Sequence, residues 1–428
     1  MKKNIATLFA AMATALAASA QSGTNSPYSQ YGLGVLSEQA QGFNRGMNGL
    51  GLGLRQSDQV NMLNPASYSA VDSLTMIFDM GLSGQVTNFK EGNRKLNANN
   101  ADFEYAVAAF RLMKNVGCSF GIVPFSNIGY NYSSTTTVGA SSTTTTEAHT
   151  GSGGVRQVYL GVGAKLFKGL SIGVNGSYLW GDYDRSLTIS SNDAYVNTIT
   201  KQYAVSIHSY KLDFGLQYSL DLTNTDNVTL GATYSLGHNL NADPMLVTTN
   251  TNSQTSISTS DTLSVKDGLS LPHAFAVGLA WSHNRKFVVG ADYSLQRWSK
   301  LAYPEFNPAT GEYKATYGLL TDRHKLTVGG EWIPNWQSRK FYNRIHYRLG
   351  ASYATPYFKV NGHDGPKEIS ISAGFGIPLL DRWNHCSFLN ISGQWVKSSA
   401  KDLITENTFR INIGLTFNEG WFNKWKVN

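Results

Sequence analysis

Alternation of apolar with small or polar residues constrains this chain more than any other feature. In residues 212–220, Leu212, Phe214, Leu216, Tyr218 and Leu220 alternate with Asp213, Gly215, Gln217 and Ser219. A period of two puts each set on its own face of a β-strand. The pattern returns at 158–166, 170–180, 228–237, 287–295, 369–377 and 410–417. Only 15% of the residues are charged, against about 25% in an ordinary soluble domain. A β-sandwich with a water-facing surface needs more Lys and Glu than these strands supply. Glycine and serine suit a crowded lumen, so the apolar face is read as the one turned outward to lipid.

The first twenty residues read as an export signal: Lys2 and Lys3, an apolar run over 5–18, then Ala18-Ser19-Ala20. Cleavage there starts the mature chain at Gln21, and no cysteine follows to carry a lipid. No later segment approaches the roughly 20 apolar residues of a spanning helix. Hydrocarbon offers a backbone no hydrogen-bond partner, so only helices or closed sheets cross it. The alternation predicts an all-β fold, a transmembrane antiparallel β-barrel of fourteen strands. Their expected positions are 73–88, 101–112, 115–134, 152–166, 169–188, 200–221, 227–242, 269–282, 286–300, 318–333, 344–357, 367–378, 384–397 and 406–418. Short connections alternate with long ones, the pattern of periplasmic turns and outer loops. The long tract 243–268 has room for an extra hairpin. Tyr178, Trp180, Tyr183, Trp281, Trp298, Trp332, Tyr353 and Trp395 fall toward strand ends and are expected at the lipid interfaces.

The division that follows is a signal at 1–20, an N-terminal plug at 21–72, a barrel at 73–418 and an aromatic tail at 419–428. Residues 21–72 are too apolar at Leu50, Leu52, Leu54, Val60, Met62 and Leu63 for a free linker. A barrel of this width is not filled by its own side chains, so the lumen is where such a segment fits. The strand at 410–417 ends on Phe417 and resembles the C-terminal signal of outer-membrane proteins. The tail beyond it contains Trp421, Phe422 and Trp425.

Several segments together resemble the FadL/TodX long-chain fatty-acid and hydrocarbon transporters of Gram-negative outer membranes. They are Arg45-Gly-Met-Asn-Gly-Leu-Gly-Leu-Gly-Leu54, Asn64-Pro65-Ala66, Gly121-Ile-Val-Pro-Phe-Ser126, Leu271-Pro272, Asp292-Tyr293, Gly330-Glu331-Trp332 and Gly374-Phe-Gly-Ile-Pro378. The opening Ser26-Pro-Tyr-Ser-Gln-Tyr-Gly-Leu-Gly34 resembles a variant in Bacteroidetes outer-membrane proteins, where some relatives serve secretion or assembly complexes. The resemblance implies that Asn64, Pro65 and Ala66 belong to the hatch. It also implies a kink in the third strand that opens the wall sideways, with Pro124, Phe125, Ser126 and Asn127 lining the exit. Proline has no N–H for a ladder, which suits a bulge or an edge. Physics favours such an exit for an oily ligand: at about 0.8 kcal/mol per methylene, a roughly sixteen-carbon chain resists entering water by on the order of ten kcal/mol.

Lumen-facing Lys165, Asp213, Asp292, Glu331 and Arg410 are expected to form a salt-bridge lattice between plug and wall. Gly117-Cys-Ser-Phe-Gly121 has the spelling of a nucleophile elbow but lies on a strand with no helix after it, so no enzyme is expected. No histidine pair has metal-ligand spacing, and neither a metal nor another cofactor is called for. Cys118 and Cys386 fall on non-adjacent strands and opposite faces, which argues against a disulfide. The net charge of +7 includes Lys2 and Lys3, and no block of like charge suits a nucleic acid. Membrane lipid is the expected surrounding. Two roles remain: passage of a hydrophobic small molecule, or an accessory subunit associated with other outer-membrane proteins.

Overall fold

The computed structural model describes residues 23–137, 142–380 and 386–420. The export signal, its cleavage site and the tail beyond Gly420 lie outside them. Fourteen antiparallel strands form one closed barrel. They are β1 (Thr75–Glu91), β2 (Arg94–Met113), β3 (Val116–Thr137), β4 (Thr144–Lys165), β5 (Leu170–Ser191), β6 (Thr198–Asp221), β7 (Asp226–Ser235), β8 (Ala274–His283), β9 (Phe287–Gln296), β10 (Arg323–Trp332), β11 (His346–Ala354), β12 (Lys367–Leu380), β13 (Cys386–Ser399) and β14 (Thr405–Gly420). Closure is made by β14 against β1, paired without a shift from Thr75↔Gly420 to Lys90↔Thr405.

The alternation has the expected sense. On β4, Val158, Leu160 and Val162 are exposed, whereas Gln157 and Tyr159 are buried inside. On β14, Phe409, Ile411 and Ile413 face out while Asn412 and Thr416 face in. Most short connections, such as Lys114–Asn115 and 166–169, gather at one end, where 333–345 is the exception, and the two longest, 236–273 and 297–322, lie at the other, which by the usual asymmetry makes the first end periplasmic.

Two differences from the expected strands have physical causes. β2 begins at Arg94 rather than 101, because the β1–β2 hairpin extends beyond the bilayer, where polar Arg94, Lys95 and Asn97 need no apolar face. Conversely β7 ends at Ser235 and β8 starts only at Ala274. Leu240, Leu269 and Leu271 alternate like strand residues, but they turn inward and join Tyr28, Leu33, Ile128, Tyr183, Trp298 and Phe358 in a buried apolar cluster under the outer loops. Trp298 and Tyr183 are therefore buried rather than interfacial. Tyr183 is in phase with inward Leu179 on β5, and Trp298 lies in a turn after β9 that folds back into the mouth. Tyr178, Trp281, Trp332, Tyr353 and Trp395 do face outward. The tract after β7 contains a hairpin, Met245–Thr251 with Ser258–Ser264, whose first strand extends the sheet beside β6.

Candidate functional site

The N-terminal segment, from Gly23 to Asp72, hydrogen-bonds to inward groups on several strands of the wall. The Asp292 carboxylate of β9 accepts the Gly51 and Leu52 amides at 2.7 and 2.9 Å. Asn48 donates to Ser352 on β11 at 2.7 Å. Asn64 donates to the Leu216 carbonyl of β6 at 3.1 Å.

Asn64, Pro65 and Ala66 start a short 3-10 turn, Pro65–Ala70, capped by the Asn64 side chain, which accepts the Ala66 amide at 3.1 Å. The wall makes room for this turn with glycine. A Cβ on Gly173 of β5 would stand 2.3 Å from the Pro65 carbonyl carbon, and one on Gly215 of β6 would stand 2.3 Å from the Asn64 side-chain oxygen. Small residues at inward positions are thus the imprint of the segment on the barrel sequence.

The strongest braces were not legible as pairs. Arg45 sits fully enclosed against Glu104 of β2 at 2.8 Å and also donates to Asn412 of β14 at 3.1 Å. Glu38 meets Lys325 of β10 at 3.3 Å. Burial pushes the Glu38 carboxyl up, but Lys325, Arg45 and Arg410 outweigh it and hold it at about 2. These residues are separated by tens to hundreds of positions, and only the uncommon sight of an arginine inside a glycine-rich run marked Arg45.

The expected lattice of five is corrected. Asp292 does join segment to wall. Asp213 is instead paired with Lys211 on its own strand. Glu331 is held by Arg348 of the neighbouring strand at 2.6 Å. Arg410 donates to Gln85 at 3.0 Å and, among the described residues, makes no ion pair within contact distance. Lys165 is exposed at the inner rim, where β4 ends and water solvates its charge. Ser119, in the elbow-like spelling, donates to the Ala108 carbonyl and shares a hydrogen bond with the Tyr159 hydroxyl, both at 2.9 Å, so its hydroxyl is a structural link. Cys118 is a free, buried thiol, and the Cys386 side chain is outside the described residues.

Pro124, Phe125, Ser126 and Asn127 mark a break in the wall. The β2–β3 ladder runs only from Met113↔Val116 to Ala106↔Ile122. Beyond Ile122, β3 keeps its other neighbour β4, with a bulge between Pro124 and Ser126. The free edge of β3 is taken by the N-terminal segment: Val35 pairs with Asn127 and Leu36 with Ser126. Ser37 donates its amide to the Phe125 carbonyl at 3.0 Å, and Gln39 donates to the Pro124 carbonyl at 2.8 Å. Lower in the segment, Gly129 donates to Ser29 at 3.1 Å. On the β2 side, Asn25 donates to Asn100 at 2.6 Å, while Ser26 donates to Glu406 of β14 at 2.6 Å. The chain therefore spans its own seam.

Two cavities adjoin this arrangement, and a third lies apart from it. An outer one of about 340 Å³ is lined by charged Glu38, Asp102, Glu104, Arg323, Lys325 and Arg410. A second, about 260 Å³, is more apolar, with Leu36, Met62, Phe125, Leu271 and Trp298 among its walls. The third, about 990 Å³, is a vestibule at the periplasmic mouth.

Solved structures that share this fold include toluene transporters and a FadL homologue. The Pseudomonas putida toluene transporter TodX aligns with a TM-score of 0.61 at 15% identity, over 91% of this chain and 100% of that one. A Pseudomonas aeruginosa FadL homologue gives 0.61 at 12% identity, over 90% and 99%. The Ralstonia pickettii toluene transporter TbuX gives 0.59 at 14% identity, over 89% and 98%. At such identities the likeness concerns fold. No curated protein matches the sequence. The family model described as BamG matches residues 1–428, and the chain belongs to the BamG family.

Proposed function

We propose that the protein is a sealed outer-membrane barrel serving as an accessory, structural subunit of a protein secretion or assembly complex. The observation that carries this reading is the seam between β2 and β3, where the ladder stops and the chain's own segment supplies the missing partner. Above it, the apolar cluster under the outer loops fills the mouth. Below it, the Arg45–Glu104 pair and the glycine-cradled turn brace the lumen. A conduit for an acyl chain needs a continuous apolar path, and the outer cavity is instead lined by eight acidic or basic side chains. A barrel closed along its wall and at its outer mouth contributes surface and rigidity to its neighbours.

One observation favours a second reading, passage of a hydrophobic molecule such as a long-chain fatty acid with lateral exit. The apolar cavity beside Phe125 lies directly behind the seam. Release from it sideways requires residues 26–38 to leave β3.

Purification from native membranes in mild detergent, with mass spectrometry of bound lipid and protein, separates the two. The subunit reading predicts a stoichiometric protein partner and no retained acyl chain. Retained acyl chain without a protein partner overturns it.

A further inference from the structure

Among the described residues, three arginines of the periplasmic vestibule have no carboxylate partner. Arg55, Arg285 and Arg344 all line it. Among the described residues, Arg55 donates to the hydroxyls of Ser171 at 2.8 Å and Ser69 at 3.0 Å. Arg285 lies 5.9 Å over the Trp336 ring. The Nε of Arg344 is enclosed yet has no hydrogen-bond partner among the described residues. Among the described residues none of the three forms an ion pair. The carboxylates in the lining are Asp58 and Glu331. Glu331 is already neutralised by Arg348, and burial pushes the Asp58 carboxyl up, toward its neutral form.

We infer that this vestibule is a docking site for an acidic peptide segment of a periplasmic protein. Unpaired guanidiniums in a partly desolvated cavity favour carboxylates, which they bind with two parallel hydrogen bonds. The volume, about 990 Å³, is at the upper end of small-ligand sites and admits a few residues of chain. Ile333, Trp336 and Phe388 provide apolar surface for anchoring side chains between the charges. Inward residues of the wall, such as Ser219, Asn227 and Ser282, bound the cavity, so it opens to the periplasm and not to the leaflet. A lipid headgroup would have to leave the bilayer to enter.

This deepens the subunit reading by giving the partner a chemistry, and it rests on that reading. The test uses the full-length barrel in mild detergent and a fluorescent octapeptide alternating glutamate with leucine. A counterpart with glutamine replacing glutamate and inorganic phosphate serve as controls. The acidic peptide is expected to bind at least tenfold tighter than its glutamine counterpart, and weaken with salt. The Arg285→Gln/Arg344→Gln variant, whose side chains brace neither segment nor seam, is expected to lose that preference with unchanged heat-modifiable migration. Equal binding of both peptides, equal binding by the variant, or displacement by equimolar phosphate would each overturn the site. A natural partner retained by this variant overturns the site but leaves the subunit reading standing. A wild-type barrel that binds the peptide selectively yet copurifies with no protein overturns the subunit reading alone.

Discussion

Two seams close this barrel, and they do so differently. β14 and β1 pair directly with each other, from Thr75↔Gly420 to Lys90↔Thr405. β2 and β3 pair only up to Ala106↔Ile122, after which residues from the N-terminal segment complete the edge. The difference teaches that closure need not come from neighbouring strands. In a low-dielectric wall every N–H and C=O needs a partner, and a segment from elsewhere in the chain can provide it. The ladder of the first seam should be less sensitive to changes in residues 23–72 than that of the second, which depends on them.

The largest effect is expected from Arg45→Ala, which leaves Glu104 buried without its cation and costs about 3–5 kcal/mol. The temperature at which heat-modifiable migration is lost should drop markedly, and adding Glu104→Gln should recover much of the drop. Next comes a pair of glycines. Gly173→Ala drives a Cβ to 2.3 Å from the Pro65 backbone, whereas Gly84→Ala on β1, at the complete seam, meets nothing within 4 Å. Overpacking of that kind costs about 1–3 kcal/mol, so the first should lower the unfolding midpoint and the second leave it alone.

Ser37→Pro removes the donor to Phe125 at a net cost of about 1 kcal/mol. Its clearer readout is accessibility. A thiol placed by Ser126→Cys is expected to react slowly with a maleimide in the parent and several-fold faster with Ser37→Pro. A thiol placed by Thr416→Cys at the other seam should stay slow in both.

The smallest effect is on pH. Glu38 is held at about 2, below its ordinary 4.5, so its stabilising contribution is complete above pH 4.5 and fades as the pH falls toward 2. Resistance of the segment to proteolysis should decline over that window, and Glu38→Gln should flatten the decline.

Strand content was legible because each lipid-facing stretch repeats a local rule: Leu212 to Leu220 reads as a strand without reference to anything else. Residues that alternate but turn inward, such as Leu240 and Leu269, obey the same rule and mislead, since periodicity does not report which side of the wall is dry. Pro124 announced an irregular edge, but its local sequence holds no sign of Val35 and Leu36, which reach it from about ninety residues away. Charge alone likewise could not pair Arg45 with Glu104. Lys165 was misplaced because phase gives a residue's face and not its height in the barrel.

The most direct test of closure joins the second seam covalently. Leu36 and Ser126 are opposed across the short ladder, and facing antiparallel residues lie within disulfide reach. With Cys118→Ser and Cys386→Ser as background, Leu36→Cys/Ser126→Cys should oxidise nearly completely in native membranes and retain its protein partner as well as the reduced form does. Failure to cross-link, or loss of function on oxidation that reduction restores, would mean that this edge must open, and would contradict a barrel that works shut.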